Sequence, residues 1–115
     1  MVCSAYFGML SEKRKANWDN KETKPYEVLD NPINLKGKGH DVWHTGQEYF
    51  SDKIQIDWAS YAWKSTSEQI IQFLTIQKTT LPWLMESEEE MIAEVKAYIK
   101  MHGNTEYGVV FIEES

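Results

Sequence analysis

Two helix-start signatures lie between the two clearest strand signals of the chain, and that order restricts the fold more than any other feature. Residues 54–63 (IQIDWASYAW) are rich in β-branched and aromatic side chains and read as one strand. Residues 107–112 (YGVVFI) read as a second strand, one that belongs in a core. Between them, Ser65 with Glu68, or Thr66 with Gln69, has the spacing of a capping box, and Ser87 with Glu90 repeats it. The first signature opens a helix that buries Ile70, Phe73 and Leu74 and frays around Lys78-Thr79-Thr80. Pro82 keeps the apolar connector 81–84 out of a helix interior. The second helix then starts at Ser87, buries Ile92, Val95 and Ile99, and stops at Gly103. Glu88, Glu89 and Glu90 fall in its first turn, where the helix dipole favours negative charge.

The N-terminal part is less regular. In residues 1–10, Cys3, Ala5, Phe7 and Met9 alternate with Val2, Ser4, Tyr6, Gly8 and Leu10, which predicts a strand. Residues 11–40 are polar and carry turn signals at Asn17, Asp19, Asn20, Asp30-Asn31-Pro32 and Gly37-Lys38-Gly39. They predict a long polar loop with a short ordered piece near Tyr26. Residues 42–44 and 47–51 read as one or two short strands interrupted at Gly46, followed by a turn at Ser51-Asp52-Lys53. Within 54–63, Ile54, Ile56 and Trp58 share one face, and Asp57, Ala59, Tyr61 and Trp63 share the other. Large groups therefore change faces near residues 58–60, which predicts a bulge or a strand buried on both sides. The expected fold is α+β, in one domain spanning 1–115. It comprises an antiparallel sheet of four to five strands with two α-helices on one face, the last strand inserted between earlier ones, and a long polar N-terminal loop.

Charge narrows the partners. The net charge is −6, with residues 1–40 at +2 and residues 41–115 at −8. An acidic body is repelled by phosphate backbones, so nucleic acid is not an expected partner. Lys13-Arg14-Lys15, Lys21, Lys24, Lys36 and Lys38 are interleaved with acids and read as a solvated loop. No apolar run approaches the ~20 residues of a membrane helix, and residues 1–10 lack the basic start and apolar core of a secretory leader. The lone Cys3 cannot form an internal disulfide, which points to a reducing, cytoplasmic setting.

Three constellations bear on chemistry. His40 and His44, four residues apart, share one face of a helix or a strand, with Cys3, Asp41, Glu48 or His102 to complete a metal set. The competing reading is a pair of surface or hydrogen-bonded imidazoles. Residues 36–40 (KGKGH) lack the spacing of a phosphate-binding loop, and no GxGxxG or GxSxG is present. Cys3 sits in an apolar strand, where an inert thiol is the default, and His102 suits a helix C-terminus.

The aromatic residues form the most distinctive set. Trp18, Trp43, Trp58, Trp63 and Trp83 are joined by Tyr49, Phe50, Tyr61 and Phe73. Tyr61 and Trp63 share a face with Asp57, and an aromatic wall with one carboxylate is what a pocket for an organic cation requires. The competing reading makes these rings core, with indole N–H groups bonded to backbone carbonyls. A buried Asp57 would need Lys53, Lys64 or a tyrosine hydroxyl beside it.

The expected function is a non-enzymatic binding module. It would take a basic protein, as immunity and inhibitor proteins do, or a second copy of itself as a homodimer. Its surface would use some of Trp43, Trp58, Tyr61, Trp63 and Trp83 with the acids Glu86, Glu88, Glu89, Glu90 and Glu94. One alternative is a small-molecule site for an organic cation at Trp43, Asp57, Trp58, Tyr61 and Trp63. A second is a metal-assisted hydrolase using His40, Asp41 and His44. No cofactor is expected.

Overall fold

The computed structural model describes residues 2–19, 24–57, 59–77, 82–103 and 105–114, with the backbone alone at 2, 25, 57, 82–86 and 114. Along the chain come β1 (Val2–Leu10), α1 (Glu12–Ala16), a 3-10 turn (Pro25–Glu27), β2 (Leu29–Asn34) and α2 (Gly39–Tyr49). They are followed by β3 (Ser51–Asp57), β4 (Ser60–Ser65), α3 (Ser67–Ile76), α4 (Pro82–His102) and β5 (Tyr107–Glu114). The strands form one antiparallel sheet in the order β2-β1-β5-β4-β3. The last strand does lie between earlier ones, pairing with β1 on one side and β4 on the other.

Period-two alternation sorts the side chains. Ala5 and Phe7 of β1, Val109 and Phe111 of β5 and Trp63 of β4 meet the buried residues of α2, α3 and α4 in one core. On the opposite face Leu10, Ile56, Ala62 and Val110 pack with Val28 and Leu29, and the half-buried Trp18 lies against them.

Four α-helices are described where two were expected, because α1 forms inside the expected loop and residues 39–49 are helical where one or two short strands were expected. Val42, Gly46 and the capping residue Phe50 are spaced by four and all buried, the period of a helix face. Val42, Trp43, Tyr49 and Phe50 are β-prone types, and Lys38 at the N-cap makes no side-chain capping bond, so local chemistry carried no start signal. The long loop is also partly ordered. Ser11 caps α1 by accepting from the Arg14 N–H, and β2 pairs with β1. In β2 the supposed turn at residues 30–32 is a bulge, with Asn31 at φ 45° and Pro32 tolerated because the strand is an edge.

Residues 54–63 are a hairpin and not one strand: Asp57 pairs with Ser60. The change of face seen in the sequence is a chain reversal, which sends Ile54 and Ile56 to one side and Tyr61 and Trp63 to the other. In α3 the Thr66–Gln69 box is the one used, with Gln69 N–H to Thr66 Oγ1 at 3.0 Å and Thr66 N–H to Gln69 Oε1 at 2.9 Å. Helix α4 begins at Pro82 rather than Ser87, since proline suits a first helical position whose N–H has no partner in any case. The expected fraying at residues 78–80 lies outside the described residues.

Two close fits hold the layers together. The β2 bulge leaves the Met9 N–H and the Asp30 carbonyl without each other, and the Tyr98 hydroxyl of α4 satisfies both. It accepts from Met9 N at 2.8 Å and donates to the Asp30 oxygen at 2.6 Å. At the start of α2, a Cβ on Gly39 would stand 2.3 Å from the Cys3 carbonyl oxygen, closer than any real side chain tolerates.

Gly39→Ala is therefore expected to cost about 1–3 kcal/mol in denaturant unfolding. Tyr98→Phe strands a backbone N–H and should cost about 1–3 kcal/mol. Burial raises the pKa of the Tyr98 and Tyr107 hydroxyls above the ordinary 10.0, the former opposed by the Met9 N–H bond. Above that pH the unfolded chain loses these protons first, so stability is complete below it and falls as pH rises through the folded-state values. Unfolding midpoints between about pH 9 and about pH 11 should show this fall, and Tyr107→Phe should flatten it.

Candidate functional site

Helix α2 lies against β1 and β5, and this places Trp43 over the end of the sheet. Its ring stacks on Phe111 of β5 with centroids 5.2 Å apart, and tilts against Tyr61 of β4 at 5.3 Å. Tyr61 and Phe111 are themselves cross-strand partners, so sheet register fixes the floor on which Trp43 rests. Trp63, two residues along the same face, is buried, while Trp43 is 40% exposed. The result is an open aromatic ledge with a buried inner end.

A cation already sits on it. The Lys53 Nζ stands 4.7 Å from the Tyr61 ring centroid, 5.5 Å from that of Trp43 and 5.7 Å from that of Trp63. All three distances fall within the ~6 Å range of cation–π attraction. Three residues singled out in the sequence, Trp43, Tyr61 and Trp63, thus converge on one ammonium. Asp57 ends β3 and is described by its backbone alone, and Trp58 lies outside the described residues. The Trp63 indole N–H has no hydrogen-bond partner among the described residues, whereas the Trp18 N–H donates to the Asp52 carbonyl at 2.9 Å.

Among the described residues the histidines gather no metal set. His40 and His44 stand one turn apart on the exposed side of α2, ring centroids 6.4 Å apart. Among the described residues no group of three or more His, Cys, Asp or Glu side chains is arranged to hold an ion. His102 packs on Tyr98 instead, and Cys3 is half-buried in β1.

Two basic residues assigned to a solvated loop are buried. Arg14 is fully enclosed, its Nη1 donating to the Trp18 carbonyl and its guanidinium 5.9 Å from the Trp18 ring; burial lowers its pKa, against the opposing charge of Asp19. Lys38 is carried inward because Gly39 packs directly on β1. Its Nζ donates to Glu88 Oε1 of α4 at 2.6 Å and to the Gln77 carbonyl at the end of α3, with Asp41 Oδ2 at 3.9 Å. Lys38 therefore ties three helices together, and Glu88 is withdrawn from the acidic face to which the sequence assigned it. Glu89, Glu90 and Glu94 remain exposed. Lys38 was missed as an organising cation because a lysine between glycines carries no local mark of burial, and the place of the exposed Lys53 over the rings is set by the β3 bulge.

Other hollows lie elsewhere among the described residues. One of about 340 Å³ borders the start of α3, lined in part by Lys64, Thr66, Gln69 and Tyr107, and its capping groups already bond one another. Another, of about 210 Å³, is apolar and lies on the opposite sheet face between Tyr6, Tyr26 and Ile112.

Replacing Lys38 by Met removes the ammonium bonded to the buried Glu88 carboxylate and should cost about 3–5 kcal/mol. The double variant Lys38→Met/Glu88→Met should lose less than Lys38→Met alone, measured by chemical denaturation, because the buried carboxylate is removed together with its lysine. No protein-family model, curated protein or solved structure matches this chain, so the role of the ledge rests on its own geometry.

Proposed function

We propose that the chain is a non-enzymatic binding module that docks a basic protein partner on the α2 ledge, in the manner of small inhibitors of cationic enzymes. The observation that carries this reading is Trp43. Its ring is 40% exposed yet held by stacking on Phe111. A fixed, half-open tryptophan is the kind of residue on which interfaces concentrate binding energy, because little side-chain entropy is lost on contact.

The net charge of −6 supports a cationic partner, since the summed field steers opposite charge toward the surface. Exposed Glu89, Glu90 and Glu94 add to that field. A different protein is favoured over a second copy because both sheet edges, β2 and β3, are broken by bulges, which discourage strand-to-strand pairing.

A photo-crosslinking residue at Gln47, exposed one turn along α2 from Trp43, should trap one protein in cells, and one at the exposed Met101 should not. With the purified pair, Trp43→Ala should weaken binding about thirtyfold, near 2 kcal/mol, while circular dichroism shows the fold retained. Equal trapping at both positions, or an unchanged affinity, removes the reading.

A further inference from the structure

The ledge holds an ammonium, and that ammonium belongs to the chain itself. We propose that Trp43, Tyr61 and Trp63 form an ammonium-recognition site in which Lys53 is a tethered resident, displaced by a lysine side chain of the partner. This deepens the reading above and rests on it.

The first observation is convergence. Three ring centroids lie 4.7–5.7 Å from one nitrogen, and they come from α2 and β4, elements separate in the chain. Among the described residues these three rings are the partners of the Lys53 ammonium. Cation–π contacts at an exposed site are weak one by one, which makes the resident displaceable.

The second is the backbone that delivers Lys53. Between Ser51 and Ile54 the β3 ladder gains one residue over β4, and Asp52 takes φ 53°, a left-handed value uncommon outside glycine. This bulge is anchored to the opposite side of the sheet. The Trp18 indole donates to the Asp52 carbonyl at 2.9 Å, and Asp52 Oδ2 stands 3.8 Å from Lys64 Nζ. A bulge re-aims the side chains next to it, and here the neighbouring side chain is the lysine over the rings.

The third is charge. A protein of net −6 gathers cations near its surface, and the ring faces present negative potential, so the exchange that suits this site is one ammonium for another.

The test removes the resident. Lys53 is exposed, so Lys53→Ala keeps the core intact. Binding of N-acetyl-lysine methylamide is followed through the indole signals of Trp43 and Trp63 by NMR, beside the neutral norleucine analogue and choline. The site predicts that Lys53→Ala binds the lysine probe about tenfold more tightly than the wild type. Lys53→Arg should stay as weak as the wild type, and adding Tyr61→Leu to Lys53→Ala should abolish the gain. Equal affinity in Lys53→Ala and the wild type, or a norleucine analogue that binds as well as lysine, overturns the proposal. Choline binding far more tightly than the lysine probe overturns the partner lysine in favour of a free quaternary cation. A partner trapped at position 47 that depends on Trp43 would still stand if Lys53→Ala gained nothing, so the two readings fail separately.

Discussion

The contact between Gly39 and the Cys3 carbonyl sets the distance of α2 from the sheet, and the other long-range contacts of that helix follow from it. With no side chain at that point, the helix start rests on the backbone of β1. Lys38 is then carried under the helices, where its ammonium joins the end of α3 to Glu88 of α4. One turn further on, the same approach brings Trp43 down onto Phe111. A helix raised by one methyl group would loosen the Lys38 staple and lift Trp43 from its floor, so fold stability and the ledge share a single steric condition.

Irregular backbone does much of the positioning elsewhere. Both edge strands are bulged, and each bulge is tied by a side chain from another element: Tyr98 at β2 and Trp18 at β3. These ties satisfy backbone groups that the ladder leaves free, and unsatisfied buried groups are costly. The β3 bulge also turns Lys53 over three rings, so one local defect both blunts the edge and furnishes the ledge with its cation.

The α+β class, the antiparallel sheet and the helix start at residues 65–69 were legible because each rests on local periodicity or on a two-residue signature, and the place of the last strand followed only from the two helices that separate residues 63 and 107. Helix α2 was not, since its buried face is made of strand-prone Val42 and Phe50 around a glycine, and tertiary packing outweighed propensity. The hairpin within 54–63 was hidden because alternation that changes faces looks alike for a bulge and for a reversal. Of the residues marked in sequence for a cation site, Trp43, Tyr61 and Trp63 come together, although the first lies on a helix where a strand was expected. Lys53 was legible only as a counter-ion for Asp57, because its place over the rings depends on a bulge that no short motif announces. Arg14 and Lys38 escaped notice for a related reason: burial of a charge is decided by distant elements, which local composition does not reveal.

The central claim is that the Lys53 ammonium rests on the ring trio, and NMR of the Lys53 side chain tests it most directly. Protons on the terminal methylene of a lysine held over aromatic faces are shielded by ring currents. These protons should resonate upfield of those of the exposed Lys13 or Lys36 and return to the ordinary position in Trp43→Ala and in Tyr61→Leu. Unshifted Lys53 protons in the wild-type protein, or a shift that persists in both variants, would contradict it.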